Sequence, residues 1–97
     1  MTYTLNIDKL ALTLFKKLPP NIQAILIEKA QVLTTNPHAG ASLKGKYRML
    51  RSLHLSIEGT AYRMIYQIFQ KSETIVVRLA GTRENIYNKL DEMKFKA

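Results

Sequence analysis

His54, Arg63 and Arg83 pair a proton-transfer group with fixed positive charge. A neutral imidazole accepts a proton near neutral pH, and a guanidinium can hold a phosphate through two parallel hydrogen bonds. Cleavage of an RNA phosphodiester needs a base for the ribose 2′-hydroxyl proton, cations for the charged phosphorane and an acid for the leaving oxygen. Tyr87 adds a phenol, one turn beyond Arg83 on the same side of any helix that starts there. Lys44, Lys46, Arg48 and Arg51 add charge suited to holding RNA. Each residue also has an ordinary reading. An arginine alternating with apolar residues is commonly a solvated face. A tyrosine beside Ile86 and Leu90 is commonly packing, and the four cations can be plain surface charge. A metal nuclease needs clustered carboxylates. The seven Asp and Glu show no such spacing, so the expected chemistry uses no metal and no other cofactor.

Composition narrows the setting for this chemistry. Ninety-seven residues suit one domain, 1–97, and the 46% hydrophobic content suffices for a core. Without cysteine there is no disulfide framework, thiolate metal site or cysteine nucleophile. No apolar run reaches the length of a membrane helix and the first residues lack a signal-peptide layout, which predicts a cytoplasmic protein with no membrane partner. Fifteen basic against seven acidic residues give a net charge of +8. Residues 1–40 hold four basic and two acidic groups (+2), and residues 41–97 hold eleven and five (+6). A basic C-terminal half points to a polyanionic partner, either nucleic acid or an acidic protein segment.

The elements that must position these groups follow from periodicity. Tyr3 to Ile7 alternates weakly, as an edge strand does. Asp8 is placed to N-cap a helix through about Lys17. Pro19-Pro20 ends that helix and opens a second one to about Thr35, whose apolar stripe is Ile22, Ile25, Leu26, Ala30 and Leu33. From Tyr47 the period becomes two: Tyr47, Met49, Leu53, Leu55 and Ile57 alternate with Arg48, Ser52, His54 and Ser56. Glu58-Gly59 signals a tight turn into a strand carrying Tyr62, Met64, Tyr66 and Ile68. A third strand runs from Thr74 to Ala80, Gly81 ends it, and a short helix spans Arg83 to about Lys94. The predicted fold is α+β: an N-terminal helical hairpin on a small antiparallel sheet with a short C-terminal helix.

A two-residue turn at Glu58-Gly59 fixes the register. Ile57 then faces Thr60, Leu55 faces Tyr62, Leu53 faces Met64 and Met49 faces Ile68, all on the core face. A slip by one would set core residues against polar ones. The same register puts His54 opposite Arg63 and Ser52 opposite Ile65 on the non-core face. Arg51 breaks the alternation and belongs at the rim of the apolar side or at a bulge.

Four segments then carry a resemblance: Leu43-Lys44-Gly45, Leu50 to Leu55, Ala61-Tyr62-Arg63-Met64-Ile65-Tyr66-Gln67, and Ala80-Gly81-Thr82-Arg83-Glu84-Asn85-Ile86-Tyr87. With the element order, they resemble the RelE/ParE toxin superfamily of type II toxin–antitoxin systems over almost the whole chain. The RelE branch, as the resemblance implies, enters the ribosomal A site and cleaves mRNA by attack of the 2′-hydroxyl, leaving a cyclic phosphate and a 5′-hydroxyl. Arg63 matches the arginine at the scissile phosphate, Arg83 the arginine implicated as acid or charge stabiliser, and Tyr87 the tyrosine that stacks on or orients the substrate and helps with proton transfer. The family often carries two basic residues on the first hairpin strand; here Ser52 and His54 stand there. With that departure the candidate bases are His54 and Tyr87.

The resemblance also implies an antitoxin, expected to be an acidic segment that folds over the basic half and the exposed sheet edge. Two other functions compete. A ParE-like toxin of the same fold inhibits DNA gyrase without cutting RNA, and a domain that has lost activity only binds an antitoxin or nucleic acid.

Overall fold

The computed structural model describes residues 2–93; the side chains of Tyr87 and of residues 91–93 are outside the described set, as is the expected helix end at Lys94. The chain runs β1 (Thr4–Ile7), α1 (Lys9–Lys16), α2 (Pro20–Thr35), β2 (Ala41–Ser42), β3 (Leu50–Ile57), β4 (Thr60–Phe69), β5 (Thr74–Thr82) and α3 (Arg83–Met93). The strands form one sheet in the order β1-β5-β4-β3-β2. Three pairings are antiparallel, and β1 lies parallel to β5. The sheet is therefore mixed rather than wholly antiparallel as expected. Both helices and the β3–β4 hairpin separate β1 from β5, a connection long enough for parallel pairing.

Helices α1 and α2 cover one face of this sheet. Ala11, Phe15, Ile22, Leu26, Ala30 and Leu33 bury against Ile57, Tyr62, Met64, Tyr66, Ile75 and Val77. The opposite face is also partly core. Ile86 and Leu90 of α3 bury Leu50, Ile65 and Leu79. This corrects the reading of Ser52 as part of a non-core face: Ser52 is 1% exposed. Its hydroxyl has no hydrogen-bond partner among the described residues. Strand alternation reports which residues share a face, but a second face can be apolar only in its middle, and Ile65 was the sign of that.

Strand β3 begins at Leu50, not Tyr47. Gly45 takes φ +66° and the chain turns through Gly45–Tyr47, with the Arg48 N–H donating to the Gly45 carbonyl at 3.2 Å. Met49 thus falls before the strand and is 41% exposed, so it does not enter the core opposite Ile68. The rest of the hairpin has the expected register: Ile57 opposite Thr60, Leu55 opposite Tyr62, Leu53 opposite Met64 and Ser52 opposite Ile65. Glu58 and Gly59 both take positive φ, 51° and 81°, the pattern of a two-residue turn matched to strand twist. Asn21 donates to the Glu58 carboxylate at 3.2 Å, tying the turn to the start of α2.

Two further differences have local causes. Asp8 stands at the N-cap position of α1 but makes no capping hydrogen bond; its carboxylate pairs with Arg78 Nε at 3.0 Å. Arg78 stands where the β4–β5 register shifts between Ile65 and Tyr66. Gly81 and Thr82 continue β5 instead of ending it, because β4 is long enough to pair them with Arg63 and Tyr62. Before β2, Tyr66 closes the connection from α2. Its buried hydroxyl donates to the Pro37 carbonyl at 2.6 Å and accepts the Gly40 N–H at 2.9 Å. A Cβ on Gly40 would sit 2.8 Å from that hydroxyl and from the Ser52 carbonyl, so only glycine fits.

Candidate functional site

The register places the candidate side chains. His54 pairs with Arg63 across the β3–β4 hairpin, and Arg63 pairs with Gly81 across to β5. Imidazole, guanidinium and glycine thus form one row over three strands, with the His54 and Arg63 Cβ atoms about 5 Å apart. The row lies on the α3 side of the sheet, between the core of Leu50, Ile65 and Leu79 and the hairpin tip. Toward that tip the same face carries only Ser56 and Ala61, both small, so no carboxylate from the strands faces the row. Gly81 contributes no side chain to crowd Arg63, and Arg83 starts α3 two residues later.

Burial and charge shape the three nitrogen groups differently. His54 and Arg83 are exposed, whereas Arg63 is half-buried. The Arg63 Nε is buried with no hydrogen-bond partner among the described residues. A buried donor left unsatisfied costs about 1–3 kcal/mol. Partial burial, then the charges of Arg63 and Arg83, push the His54 pKa below its ordinary 6.5. The imidazole is therefore neutral near pH 7 and free to take a proton, with both guanidiniums close enough to act on it.

The other expected residues do not join this row. Lys44, Lys46 and Arg48 are exposed on the segment before β3. The start of β3 lies roughly 13 Å along the strand from His54. Lys46 Nζ lies 5.1 Å from the centre of the Tyr47 ring. Arg51 occupies the opposite, helix-covered face, at its rim as expected. Its Nε donates to the Gly40 carbonyl at 2.9 Å and its Nη2 to the His38 carbonyl at 3.4 Å. Tyr87 lies within α3, one turn past Arg83, but its side chain is outside the described residues. Among the described residues, no three His, Asp or Glu side chains come together. None of the described helices is long and apolar enough to cross a membrane.

Sequence reasoning missed Gly81 as a member of the row and missed α3 as the cover for the neighbouring core. The first was legible only with the length of β4, since a glycine after a strand ordinarily signals its end. The second needed Ile86 and Leu90 to be matched with Leu50, Ile65 and Leu79 on the face thought to be open.

Comparison with known proteins bears on this arrangement. A family model described as the ParE-like toxin of type II bacterial toxin–antitoxin systems matches residues 5–91. A chain of the toxin–antitoxin complex RelBE2 from Mycobacterium tuberculosis is 29% identical, with 86% of this chain and 93% of that one covered and a TM-score of 0.74. A mutant of the E. coli toxin RelE in the free state gives 23% identity, 98% and 100% coverage and a TM-score of 0.76. A chain of the intact E. coli RelBE toxin–antitoxin complex gives 21% identity, 82% and 95% coverage and a TM-score of 0.68. The two E. coli likenesses concern the fold alone. No curated protein sequence matches significantly.

Proposed function

Because the chain belongs to the ParE-like toxin family of type II bacterial toxin–antitoxin systems, we propose that it is a ribosome-dependent mRNA endonuclease that cuts in the A site without a metal. One observation carries this reading: His54 faces Arg63 across the hairpin, and its pKa is lowered by partial burial and then by the charges of Arg63 and Arg83. A neutral base beside two guanidiniums suits transesterification. His54 takes the proton of the 2′-hydroxyl. The 2′-oxygen then forms its bond to phosphorus while the bond to the 5′-oxygen breaks, giving a 2′,3′-cyclic phosphate and a 5′-hydroxyl. Arg63 holds the phosphate, and Arg83 stabilises the charge that builds on the phosphorane. Tyr87, where the resemblance sets a substrate-orienting phenol, protonates the leaving oxygen. Solvent restores both groups.

Lys44, Lys46 and Arg48 belong to a different part of this reading. Exposed and set apart from the row, they contact ribosomal RNA or the mRNA backbone, a role that needs charge more than fixed geometry. Arg51 is withdrawn from that set, since its guanidinium already serves two backbone carbonyls. The cognate partner is an acidic antitoxin segment that neutralises the basic half. It acts by covering Arg63, Arg83 and Tyr87 or by shifting α3.

A second reading has its own observation, since the matching family model is itself ParE-like. In it the toxin inhibits DNA gyrase and cuts no RNA. Primer extension on a defined mRNA, with and without programmed ribosomes, separates the two. Cuts confined to A-site codons and lost in Arg83→Ala establish the endonuclease; a folded, growth-inhibiting protein that makes no cuts brings gyrase to the front.

A further inference from the structure

We infer that the groove beside the hairpin tip is a nucleobase subsite in which Glu84 selects bases that present N–H donors, guanine above all. The inference rests on the RNA-cleaving reading and deepens it. The groove is lined by Gly59, Thr60, Ala61, Thr82, Arg83 and Glu84 and measures about 400 Å³, within the range of about 300–1,000 Å³ usual for small-ligand sites.

The groove exists because the two strands end at different places. Tyr62 opposite Thr82 is the last β4–β5 pair, so Thr60 and Ala61 extend β4 beyond any strand on that side while α3 leaves the sheet. Ala61 shares a face with Arg63, so the groove opens next to the row of His54, Arg63 and Gly81. A phosphate on Arg63 and Arg83 brings its flanking nucleotide to this position.

Glu84 gives the groove its chemistry. Residues 41–97 carry a net +6, and a carboxylate there opposes any role in holding backbone phosphates. The other acid at the tip, Glu58, accepts from Asn21. Glu84 is exposed, and among the described residues no hydrogen bond or ion pair engages its carboxylate. An ionised carboxylate only accepts hydrogen bonds, so what it favours is a neutral edge with donors. Guanine offers N1–H and N2–H side by side, a match for both oxygens. Adenine and cytosine offer one amino group each. Uracil offers one N–H between two carbonyl oxygens, which the carboxylate repels. Glu84 also stands in the first turn of α3, where a negative charge suits the helix dipole. A purely structural role of that kind would confer no base preference.

The test is binding to the full-length ¹⁵N-labelled protein, read by NMR. The probes are four dinucleotides with a 2′-deoxy first sugar, so that nothing is cleaved, differing in the second base. The expected result is amide shifts at Thr60, Ala61, Thr82 and Glu84, and guanine binding roughly tenfold tighter than uracil. In Glu84→Gln that ratio should collapse toward one, with the uracil probe bound no more weakly than before. A ratio unchanged in Glu84→Gln, or saturable binding without shifts in the groove, overturns the base subsite. The nuclease reading survives that result if Arg63→Gln weakens all four probes alike. If no probe moves the groove, the base subsite falls, while primer extension on programmed ribosomes decides the nuclease reading separately.

Discussion

Arg51 and Arg63 are both half-buried arginines on adjacent strands of one sheet, yet they sit in opposite chemical situations. Arg51 is on the helix-covered face, donating to the Gly40 and His38 carbonyls beside a tyrosine hydroxyl that both donates and accepts. Arg63 is on the other face with a buried Nε that nothing among the described residues satisfies, next to an imidazole and a second guanidinium. Polar groups that complete one another inside the chain hold a fold together. Half-buried charges gathered beside an exposed imidazole are suited to receive a ligand. The same residue type thus serves structure at one end of the sheet and, in the proposed reading, chemistry at the other.

The largest expected effect lies at the incomplete end. Arg63→Ala and Arg83→Ala should each lower single-turnover cleavage on programmed ribosomes by roughly 10²–10³-fold, the usual cost of removing one preorganised charge stabiliser. Their thermal melting should stay close to that of the parent.

The completed end should answer in stability instead. Tyr66→Phe strands the Gly40 N–H and the Pro37 carbonyl and should cost about 1–3 kcal/mol by urea unfolding. Gly40→Ala forces a methyl group against the Ser52 carbonyl, with a cost of similar size, about 1–3 kcal/mol. A stable Gly40→Ala protein would show that this connection yields more than its contacts imply. Ser52→Ala sharpens the comparison from the other side. It removes a buried hydroxyl that has no partner among the described residues, so stability should hold or rise by up to about 1 kcal/mol.

The smallest effect is a titration. The His54 pKa is lowered in the folded protein, so the unfolded chain binds more protons just below pH 6.5. Folding stability therefore rises with pH through that window and levels off above 6.5. Exposure of the ring keeps the slope shallow. By NMR the His54 midpoint should lie below 6.5 and move up toward it in Arg63→Gln and in Arg83→Gln. If His54 is the base, the acid limb of cleavage in the parent protein follows the same midpoint. A midpoint at or above 6.5 would place the guanidiniums too far away to matter.

How much of this was legible in the sequence depended on how local the signal was. The Glu58-Gly59 turn fixed the hairpin register, and with it the pairing of His54 and Arg63, because a one-residue slip reverses every side chain. The double proline separated α1 from α2 for an equally local reason. What failed was non-local. The parallel pairing of β1 with β5, the cover that α3 places over Ser52 and the bulge at Arg78 all depend on residues far apart in the chain. Asp8 illustrates the limit: its type and position suit a cap, but Arg78, seventy residues later in the sequence, takes its carboxylate. For the site, residue type and register found the row, whereas the length of β4 decided that Gly81 would join it.

The most direct test of the central contrast is one paired assay: single-turnover cleavage of A-site mRNA by Arg63→Ala and Arg51→Ala, at a temperature where both are folded. Arg63→Ala should lose at least about 100-fold, while Arg51→Ala, though less stable, should cleave close to the parent rate. Equal losses in the two variants, or a larger loss in Arg51→Ala, would contradict the division of the sheet into a completed structural end and an open catalytic one.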